Sequence, residues 1–393
     1  MREEHEGGRE LREANYAAVF ASLEVRTPGL LTALRRKRAE ATALLEELMK
    51  LPPAERARAV MREERFRQAH LAERLLEETQ TAEAHEAEEL ARLAFTVATQ
   101  MRQPKEQARS LQARACCFTG TALRLQGRLR EADESFAHAA HYLEEGATDP
   151  ERAEYCRDLA RLRASQGRLD ESLALFWRAG YLFGEAAELH EQGVCLSSIG
   201  LLYLGENAYA EALAPLSRAR IHLCPELSPR LACRSRLALA LCLAHLDQPM
   251  PAWSLVQEAR RLYAELPDVS ARVRFHWMEG KVAARVGREA EALDLFRFVR
   301  ERLIAEGEAV EAGLATVDLG VLLVRRGEGE EIGGLIRELR HIQSPRADAL
   351  GVPLALSAFE IVTRKGPDDV EKAAEQAARL LLGRRFGRTN LDE

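Results

Sequence analysis

The stretch Gly120-Thr-Ala-Leu-Arg-Leu-Gln-Gly-Arg-Leu-Arg-Glu-Ala-Asp-Glu-Ser-Phe-Ala-His-Ala139 decides the fold class, because its pattern recurs along the chain. The turn inside it, Gly127-Arg-Leu-Arg-Glu-Ala132, is followed at steps of 40 residues by five related segments. These segments are Gly167-Arg-Leu-Asp-Glu-Ser172, Asn207-Ala-Tyr-Ala-Glu-Ala212, Asp247-Gln-Pro-Met-Pro-Ala252, Gly287-Arg-Glu-Ala-Glu-Ala292 and Gly327-Glu-Gly-Glu-Glu-Ile332. Each opens with Gly, Asn or Asp, which tolerate the left-handed backbone at a helix end. The sequence therefore predicts six consecutive helix pairs.

Small and large apolar residues recur in register with these turns. Twelve residues before the last position of each turn segment there is a Gly or an Ala, namely Gly120, Ala160, Gly200, Ala240, Gly280 and Gly320. Large apolar side chains follow four residues after that last position, at Phe136, Phe176, Leu216, Val256, Phe296 and Ile336. This spacing marks one face of a second helix. A Gly inside a helix costs about 1 kcal/mol relative to Ala, so its recurrence predicts close contact between the paired helices.

The spacing resembles the tetratricopeptide repeat, whose motif has Gly or Ala at position 8, Ala at 20, an apolar or aromatic residue at 24 and Ala at 27. The first repeat fits best, with Gly120, Ala132, Phe136 and Ala139. The period exceeds the usual 34 residues by six, which we place in longer helices and in loops between repeats. The resemblance implies an all-α fold, a right-handed superhelical solenoid of antiparallel helix pairs, over residues 104–344.

The flanking sequence is less regular. Residues 1–29 are polar, and residues 30–51 form an amphipathic helix with apolar residues at Leu30, Leu34, Ala41, Leu45 and Leu48. Residues 54–103 are expected to form an atypical capping pair with helices over 55–79 and 83–101. Residues 345–393 are expected to form a closing pair, with helices over 347–364 and 368–382, and a tail. Terminal repeats are commonly irregular because their outer faces meet water.

Composition excludes several classes of protein. The 393 residues carry 56 basic and 62 acidic side chains, and the net charge of −6 argues against general attraction to nucleic acid or anionic lipid. No apolar run approaches the roughly 18 residues that span a bilayer, and the amino terminus has no apolar signal core, so we expect a cytoplasmic protein. Seven cysteines without a Cys-x-x-Cys pair predict buried thiols. The preference for Arg over Lys fits a bacterial source.

The sequence offers no catalytic or metal-binding motif. The string Gly327-Glu-Gly-Glu-Glu-Ile-Gly-Gly334 lacks both a preceding strand and the Lys-Ser/Thr of a phosphate-binding loop. The dipeptides His85-Glu86 and His190-Glu191 lack a second His four residues after the first, which helical zinc proteases require. We therefore predict a protein that is not an enzyme and that has no cofactor and no metal.

The family resemblance implies where a partner binds, because the first helices of tetratricopeptide repeats line a concave groove. The groove positions 2, 5, 6, 9, 12 and 13 map here onto Arg114, Cys117, Phe118, Arg124, Glu154, Arg157, Asp158, Arg161, Ser197, Ser198, Leu201, Arg234, Leu241, Arg274, Trp277, Met278, Lys281, Arg285, Val317, Asp318, Val321 and Arg325. Nine of these are basic and three acidic. Because Arg pairs bidentately with carboxylates, the resemblance favours a protein or peptide partner, and an acidic segment in particular.

Other interpretations stay open on the sequence. The Arg side chains could simply solvate a helix surface, and the longer period could rotate the assigned face. Tetratricopeptide domains of the co-chaperone type bind a terminal carboxylate with Lys and Asn side chains from three repeats. No such set of Lys and Asn residues can be mapped onto this sequence. A peptide-sensing transcription regulator would need a helix-turn-helix domain, but the first 50 residues offer one helix and the short basic cluster Arg35-Arg36-Lys37-Arg38, so direct binding of nucleic acid is not expected. A scaffold that forms homo-oligomers through an end of the array or through Leu30–Leu51 is the third alternative.

Overall fold

The computed structural model describes residues 28–102, 104–144, 147–264 and 269–339, together with Ala374. Within these residues it contains α-helices, two short 3-10 helices and no strand. The chain divides into two compact units, Met1–Ala147 and Thr148–Glu393. The segment expected to be polar at the amino terminus lies almost wholly outside the described residues, and so does the expected closing pair. None of the described helices is both long and apolar enough to cross a membrane.

The first unit contains six α-helices in its described part. They are α1 (Pro28–Met49), α2 (Pro53–Arg62), α3 (Ala69–Glu78), α4 (Ala84–Gln100), α5 (Lys105–Leu125) and α6 (Leu129–Leu143). The predicted amphipathic helix corresponds to α1, and its Ala41, Leu45 and Leu48 are buried. Leu45 and Leu48 belong to a core that also contains apolar side chains of α3, α4 and α5. The apolar face of α1 is therefore covered by its own unit over these residues.

The prediction of one helix over residues 55–79 is wrong. The backbone becomes extended at Glu63, which ends α2, and again at Gln68, which precedes α3. A 3-10 turn, Glu64–Phe66, lies between them and buries the Phe66 ring in the core. Arg67 donates hydrogen bonds to the carbonyls of Val60 at 3.3 Å and Met61 at 2.5 Å. Burial of Phe66 and these bonds to the last turn of α2 stabilise the break, which apolar periodicity cannot indicate.

The second unit contains ten α-helices in its described part. They are α7 (Asp149–Ser165), α8 (Leu169–Glu185), α9 (Leu189–Gly205), α10 (Tyr209–His222), α11 (Pro229–His245), α12 (Pro249–Tyr263), α13 (Val269–Arg285), α14 (Glu289–Ala305), α15 (Ala309–Arg325) and α16 (Ile332–Leu339). A second 3-10 turn, Gly329–Glu331, precedes α16. Each odd-numbered helix packs against the even-numbered helix that follows it, and α11 also packs against α9 and α13. With α5 and α6, these are the six predicted pairs.

All six predicted turn residues adopt the left-handed backbone. Their φ angles are 79° at Gly127, 73° at Gly167, 58° at Asn207, 55° at Asp247, 82° at Gly287 and 78° at Gly327. Two further left-handed residues, Ala187 (φ 59°) and Gly307 (φ 73°), lie between a second helix and the next first helix. Because α8 passes into α9 over three residues, the longer period here lies in the helices themselves, which have 17 residues each.

The strained backbone of Ala187 gives a first prediction. An L-residue with a side chain pays roughly 1–2 kcal/mol for the left-handed conformation, which glycine adopts freely. We expect Ala187→Gly to raise the free energy of unfolding by about 0.5–1 kcal/mol in urea denaturation. The matched control is Ala186→Gly, because Ala186 has an ordinary φ of −79° and should lose stability. Equal effects of the two substitutions would contradict the assigned turn.

An ion pair recurs at the start of three second helices. In α6, α8 and α14 the N-cap residue is the Arg that follows the turn glycine. Its Nε lies 2.7 Å from a carboxylate oxygen three residues later in the pairs Arg128–Glu131, Arg168–Glu171 and Arg288–Glu291. Acidic residues in the first turn also complement the helix dipole. The sequence pattern Gly-Arg-x-x-Glu thus places an Arg–Glu ion pair in the first turn of the second helix.

The small residues of the first helices lie against large side chains of the second helices. A Cβ added at Gly120 would lie 2.7 Å from Phe136 Cε2, one at Gly200 would lie 2.3 Å from Leu216 Cγ, and one at Gly280 would lie 2.8 Å from Phe296 Cε1. The other residues predicted to pack the repeats are also buried, namely Ala132, Ala160, Phe176, Ala212, Ala240, Ala252, Ala292 and Gly320. The paired helices are therefore closest where the sequence has Gly or Ala.

Candidate partner-binding surface

The resemblance-derived residues of α7, α9, α11, α13 and α15 are called here the first-helix positions. Four of them are exposed, namely Glu154, Arg274, Arg285 and Arg325. Ten are half-buried, namely Arg157, Asp158, Arg161, Leu201, Arg234, Trp277, Met278, Lys281, Asp318 and Val321. Four are buried, namely Ser197, Ser198, Leu241 and Val317. The exposed and half-buried members can contact a partner, whereas the buried four contribute to packing.

Fewer of the predicted groove residues of α5, in the first unit, are accessible than the sequence predicts. Arg114 and Phe118 are half-buried, but Cys117 is buried and Arg124 is only 2% exposed. Arg124 therefore cannot act as a solvent-facing cation, although the family positions predicted one. Apolar periodicity did not reveal the burial of Arg124. In the last turn of α5 the charged Arg124 is buried and its apolar neighbour Leu125 is exposed, which is the reverse of what periodicity predicts.

A polar cluster lies on α7. Arg157 forms ion pairs with Asp158 at 3.3 Å and with Glu191 at the start of α9, and Arg161 forms one with Asp158 at 3.1 Å. Burial alone would lower the pKa of Arg157, but the two neighbouring carboxylates raise it above its ordinary value. The charges of both guanidinium groups are compensated inside the cluster by Asp158 and Glu191. Glu191 is outside the family positions and was missed from the sequence.

A second cluster joins α13 to α15. Trp277 Nε1 donates a hydrogen bond of 2.7 Å to Asp318 Oδ2, and Lys281 Nζ lies 3.3 Å from the same oxygen. The Lys281 ammonium is also 5.1 Å from the centre of the Trp277 ring, within cation–π range. Arg285 follows Lys281 by one helical turn and is exposed. This cluster fixes an indole ring beside cations at the surface.

Between these clusters in the chain, the first-helix positions of α9 and α11 are mainly apolar or small. Leu201 is half-buried, Ser197 and Leu241 are buried, and Arg234 is the basic member. The structure thus groups the predicted charges of the second unit mainly on α7 and α13. Three of the basic residues, Arg157, Arg161 and Lys281, have a carboxylate within ion-pair distance, so the local excess of positive charge is smaller than the sequence count suggests.

A buried polar network was not foreseen from the sequence. Glu279 on α13 is 1% exposed and forms an ion pair with Arg260 of α12. It also accepts a 2.5 Å hydrogen bond from the Tyr263 hydroxyl, and its Oε2 lies 3.2 Å from His276 Nδ1. Burial raises the pKa of Glu279, but hydrogen bonds from His276, Tyr263 and Arg260 outweigh it and lower the pKa. A charged carboxylate therefore links two repeats on the inner side of α13.

The cysteines agree with the prediction of buried thiols for six of the seven, Cys224 being half-buried. Burial raises the pKa of Cys195 to about 12 and that of Cys116 to about 11, so neither is a thiolate at neutral pH. Among the described residues no group of three or more His, Cys, Asp or Glu side chains is arranged to hold a metal ion. The first-helix positions of the second unit are the candidate site, because they bring Trp277, Lys281 and Asp318 together.

Comparison with solved structures identifies the architecture. No protein-family model matches the sequence, and no curated protein matches it. The apo form of RapI has a TM-score of 0.53 at 16% identity, covering 70% of this chain and 98% of RapI. A Rap protein complexed with Competence and Sporulation Factor has a TM-score of 0.55 at 12% identity, covering 81% of this chain and 97% of Rap.

The apo form of the quorum sensor NprR from B. thuringiensis has a TM-score of 0.55 at 12% identity, covering 76% of this chain and 84% of NprR. At such identities the likeness shows the fold alone. The predicted all-α fold of the tetratricopeptide type is confirmed. Which residues bind a partner stays a prediction.

Proposed function

We propose that the chain is a binding protein whose first-helix positions in the second unit hold a segment of a protein or peptide partner. The observation that carries the proposal is the Trp277 indole, fixed by Asp318 and flanked on α13 by cations. Trp and Arg are enriched among the residues that dominate binding energy at interfaces. A ring already fixed in the unbound chain loses little conformational freedom on binding, which favours affinity.

The structural comparison supports a second, narrower candidate. One protein of similar fold is a Rap protein complexed with Competence and Sporulation Factor, and another is the quorum sensor NprR. We infer that a peptide-sensing regulatory module is the leading alternative to a scaffold for larger proteins. A sensor of this kind would bind a short synthetic peptide as tightly as the whole partner, whereas a scaffold would lose affinity when the partner is shortened.

We retain the prediction that the chain is not an enzyme and that it needs neither cofactor nor metal. Five buried thiols support this inference, because burial raises the pKa of each and a nucleophilic cysteine requires an accessible thiolate; they are Cys116, Cys156, Cys195, Cys233 and Cys242. The cytoplasmic location and the bacterial source are likewise predictions from composition. Elemental analysis that finds stoichiometric zinc in the purified chain would contradict the metal prediction.

A paired substitution on the two clusters tests the proposed function. We expect Arg161→Gln with Arg285→Gln to weaken binding of the partner that co-purifies with the full chain by about tenfold at low salt, and by less as ionic strength rises. Gln is preferred to Glu because Asp158 lies 3.1 Å from Arg161, and a new carboxylate would be repelled. Titration calorimetry measures the affinity.

The control removes two exposed Arg side chains from second helices, by Arg178→Gln with Arg218→Gln. An unaffected first variant, or an equal loss in the control, would contradict the proposed surface. The alternative site on α1 is tested by Arg35→Gln with Arg36→Gln, because both side chains are exposed. Deletion of residues 1–51 would be uninformative, since it removes Leu45 and Leu48 from the core.

A further inference from the structure

One face of α13 combines cations with an aromatic ring. We call Arg274, Trp277, Met278, Lys281 and Arg285 the α13 stripe. Their spacing of three, four, seven and eleven residues from Arg274 places them on the same side of a helix. The two terminal Arg side chains are exposed and the three central side chains are half-buried. The stripe thus presents Trp277, Met278 and the Lys281 cation between two exposed Arg side chains.

The two acidic residues associated with α13 differ in accessibility. Glu279 lies two residues from both Trp277 and Lys281, which places it on the other side of the helix, and its side chain is 1% exposed. Asp318 contacts the stripe from α15, and its side chain is 29% exposed, beside a Lys281 side chain that is 40% exposed. Glu279 is therefore buried and already paired with interior side chains, whereas the Lys281–Asp318 ion pair is accessible to solvent.

We propose that the α13 stripe binds an acidic segment of the partner and that Asp318 occupies its cationic centre in the unbound chain. An incoming carboxylate would displace Asp318 from Lys281 and would also reach Arg285. This inference rests on the proposed function and adds to it the chemistry of the partner and the residue that sets the affinity. An ion pair between partly exposed side chains contributes little stability, so replacing Asp318 by a partner carboxylate at Lys281 requires little free energy.

The geometry separates the charge of Asp318 from its hydrogen bond. The Trp277 indole donates to Asp318 Oδ2 at 2.7 Å, and a carboxamide oxygen in the same place would still accept that bond, although as a weaker, neutral acceptor. Asp318→Asn therefore keeps the indole in position and removes the competing negative charge. We expect this variant to bind an acidic peptide more tightly than the wild type does.

The test uses a fluorescein-labelled peptide in which glutamates flank a single leucine, and a matched peptide in which glutamines replace the glutamates. Fluorescence anisotropy with the full chain at low salt measures both affinities. We expect Asp318→Asn to bind the acidic peptide about fivefold more tightly and Lys281→Gln to bind it at least fivefold more weakly, with both differences decreasing at high salt. The glutamine peptide should bind weakly to every variant.

Glu258→Gln is the matched control. Glu258 lies on the second helix α12, pairs with Arg220 at 2.9 Å and has a side chain that is 35% exposed, so its substitution removes one negative charge from a similar environment. We expect this control to change the affinity for the acidic peptide by less than twofold. It changes the net charge by the same amount as Asp318→Asn does, but it alters no side chain that contacts the α13 stripe. Thermal melts by circular dichroism verify that all variants are folded.

Two outcomes overturn the inference. If Asp318→Asn and wild type bind the acidic peptide equally, or if Glu258→Gln gains as much, Asp318 does not compete locally. If the acidic peptide binds to none of the variants while the full chain still retains its partner through Arg161 and Arg285, the acidic chemistry is wrong and the proposed function stands. If the variant Arg161→Gln with Arg285→Gln still binds the partner as tightly as the wild type does, the proposed function itself is contradicted.

Discussion

Glu279→Gln is expected to lower the free energy of unfolding by about 3 kcal/mol at neutral pH. Removing one member of a buried ion pair typically costs 3–5 kcal/mol, because the remaining charge loses its partner in a poorly solvated place. The lower end applies here, since Arg260 is partly exposed and also pairs with Glu291. The loss would affect the contact between α12 and α13, which belong to successive repeats. Urea denaturation of the full chain measures the difference.

Glu291→Gln is the control for this experiment. Glu291 shares the Arg260 partner but has a side chain that is 28% exposed, so we expect it to cost less than about 1 kcal/mol. The pH dependence provides a second check. Because folding lowers the pKa of Glu279, its contribution is present above the unfolded pKa of about 4.3 and is lost as pH falls through the folded pKa. The difference in the free energy of unfolding between wild type and Glu279→Gln should therefore decrease at acidic pH. A difference that is independent of pH would contradict the assigned network.

Gly200→Leu is expected to destabilise the second unit by about 2 kcal/mol or more. Even the first side-chain carbon would lie 2.3 Å from Leu216 Cγ, and overpacking of a close helix contact costs about 1–3 kcal/mol. The effect of Gly120→Leu in the first unit should be similar, because a Cβ there meets the Phe136 ring. Both losses should appear as lower midpoints in circular dichroism melts.

The same substitution at Gly205 is the matched control. Gly205 ends the helix that contains Gly200, is exposed and has no atom within 4 Å of an added Cβ. We expect Gly205→Leu to change stability by less than about 0.5 kcal/mol, as exposed surface substitutions commonly do. Unchanged midpoints for Gly200→Leu and Gly120→Leu would mean that the repeat register is wrong.

The sequence predicted the fold well where a local rule repeats. Every turn residue from Gly127 to Gly327 has the backbone conformation that its chemistry favours, and the six helix pairs follow from that spacing. The break between α2 and α3 was missed because it depends on burial of Phe66 and on bonds from Arg67, which are contacts without a periodic signal. The left-handed Ala187 was missed because alanine does not indicate such a turn.

The candidate site was predictable only in outline. Family positions selected Trp277, Lys281 and Asp318, which the structure brings together, but they also selected Arg124, which is buried. The compensating carboxylate of Glu191 lies outside the positions used, so the sequence overstated the positive charge on α7. Which charges are satisfied internally depends on neighbours from other helices, and a count along one helix cannot include them.

Site-specific photo-crosslinking tests the central claim most directly. Benzoylphenylalanine in place of Met278 puts the reactive group on the α13 stripe without removing a cation, and in place of Tyr181 puts it on the second helix α8, where the native side chain is 65% exposed. After irradiation of the full chain with its co-purified partner, the account predicts a covalent adduct with a single partner segment from position 278 and none from position 181. An adduct from position 181 alone would contradict the claim that the first helices bind the partner.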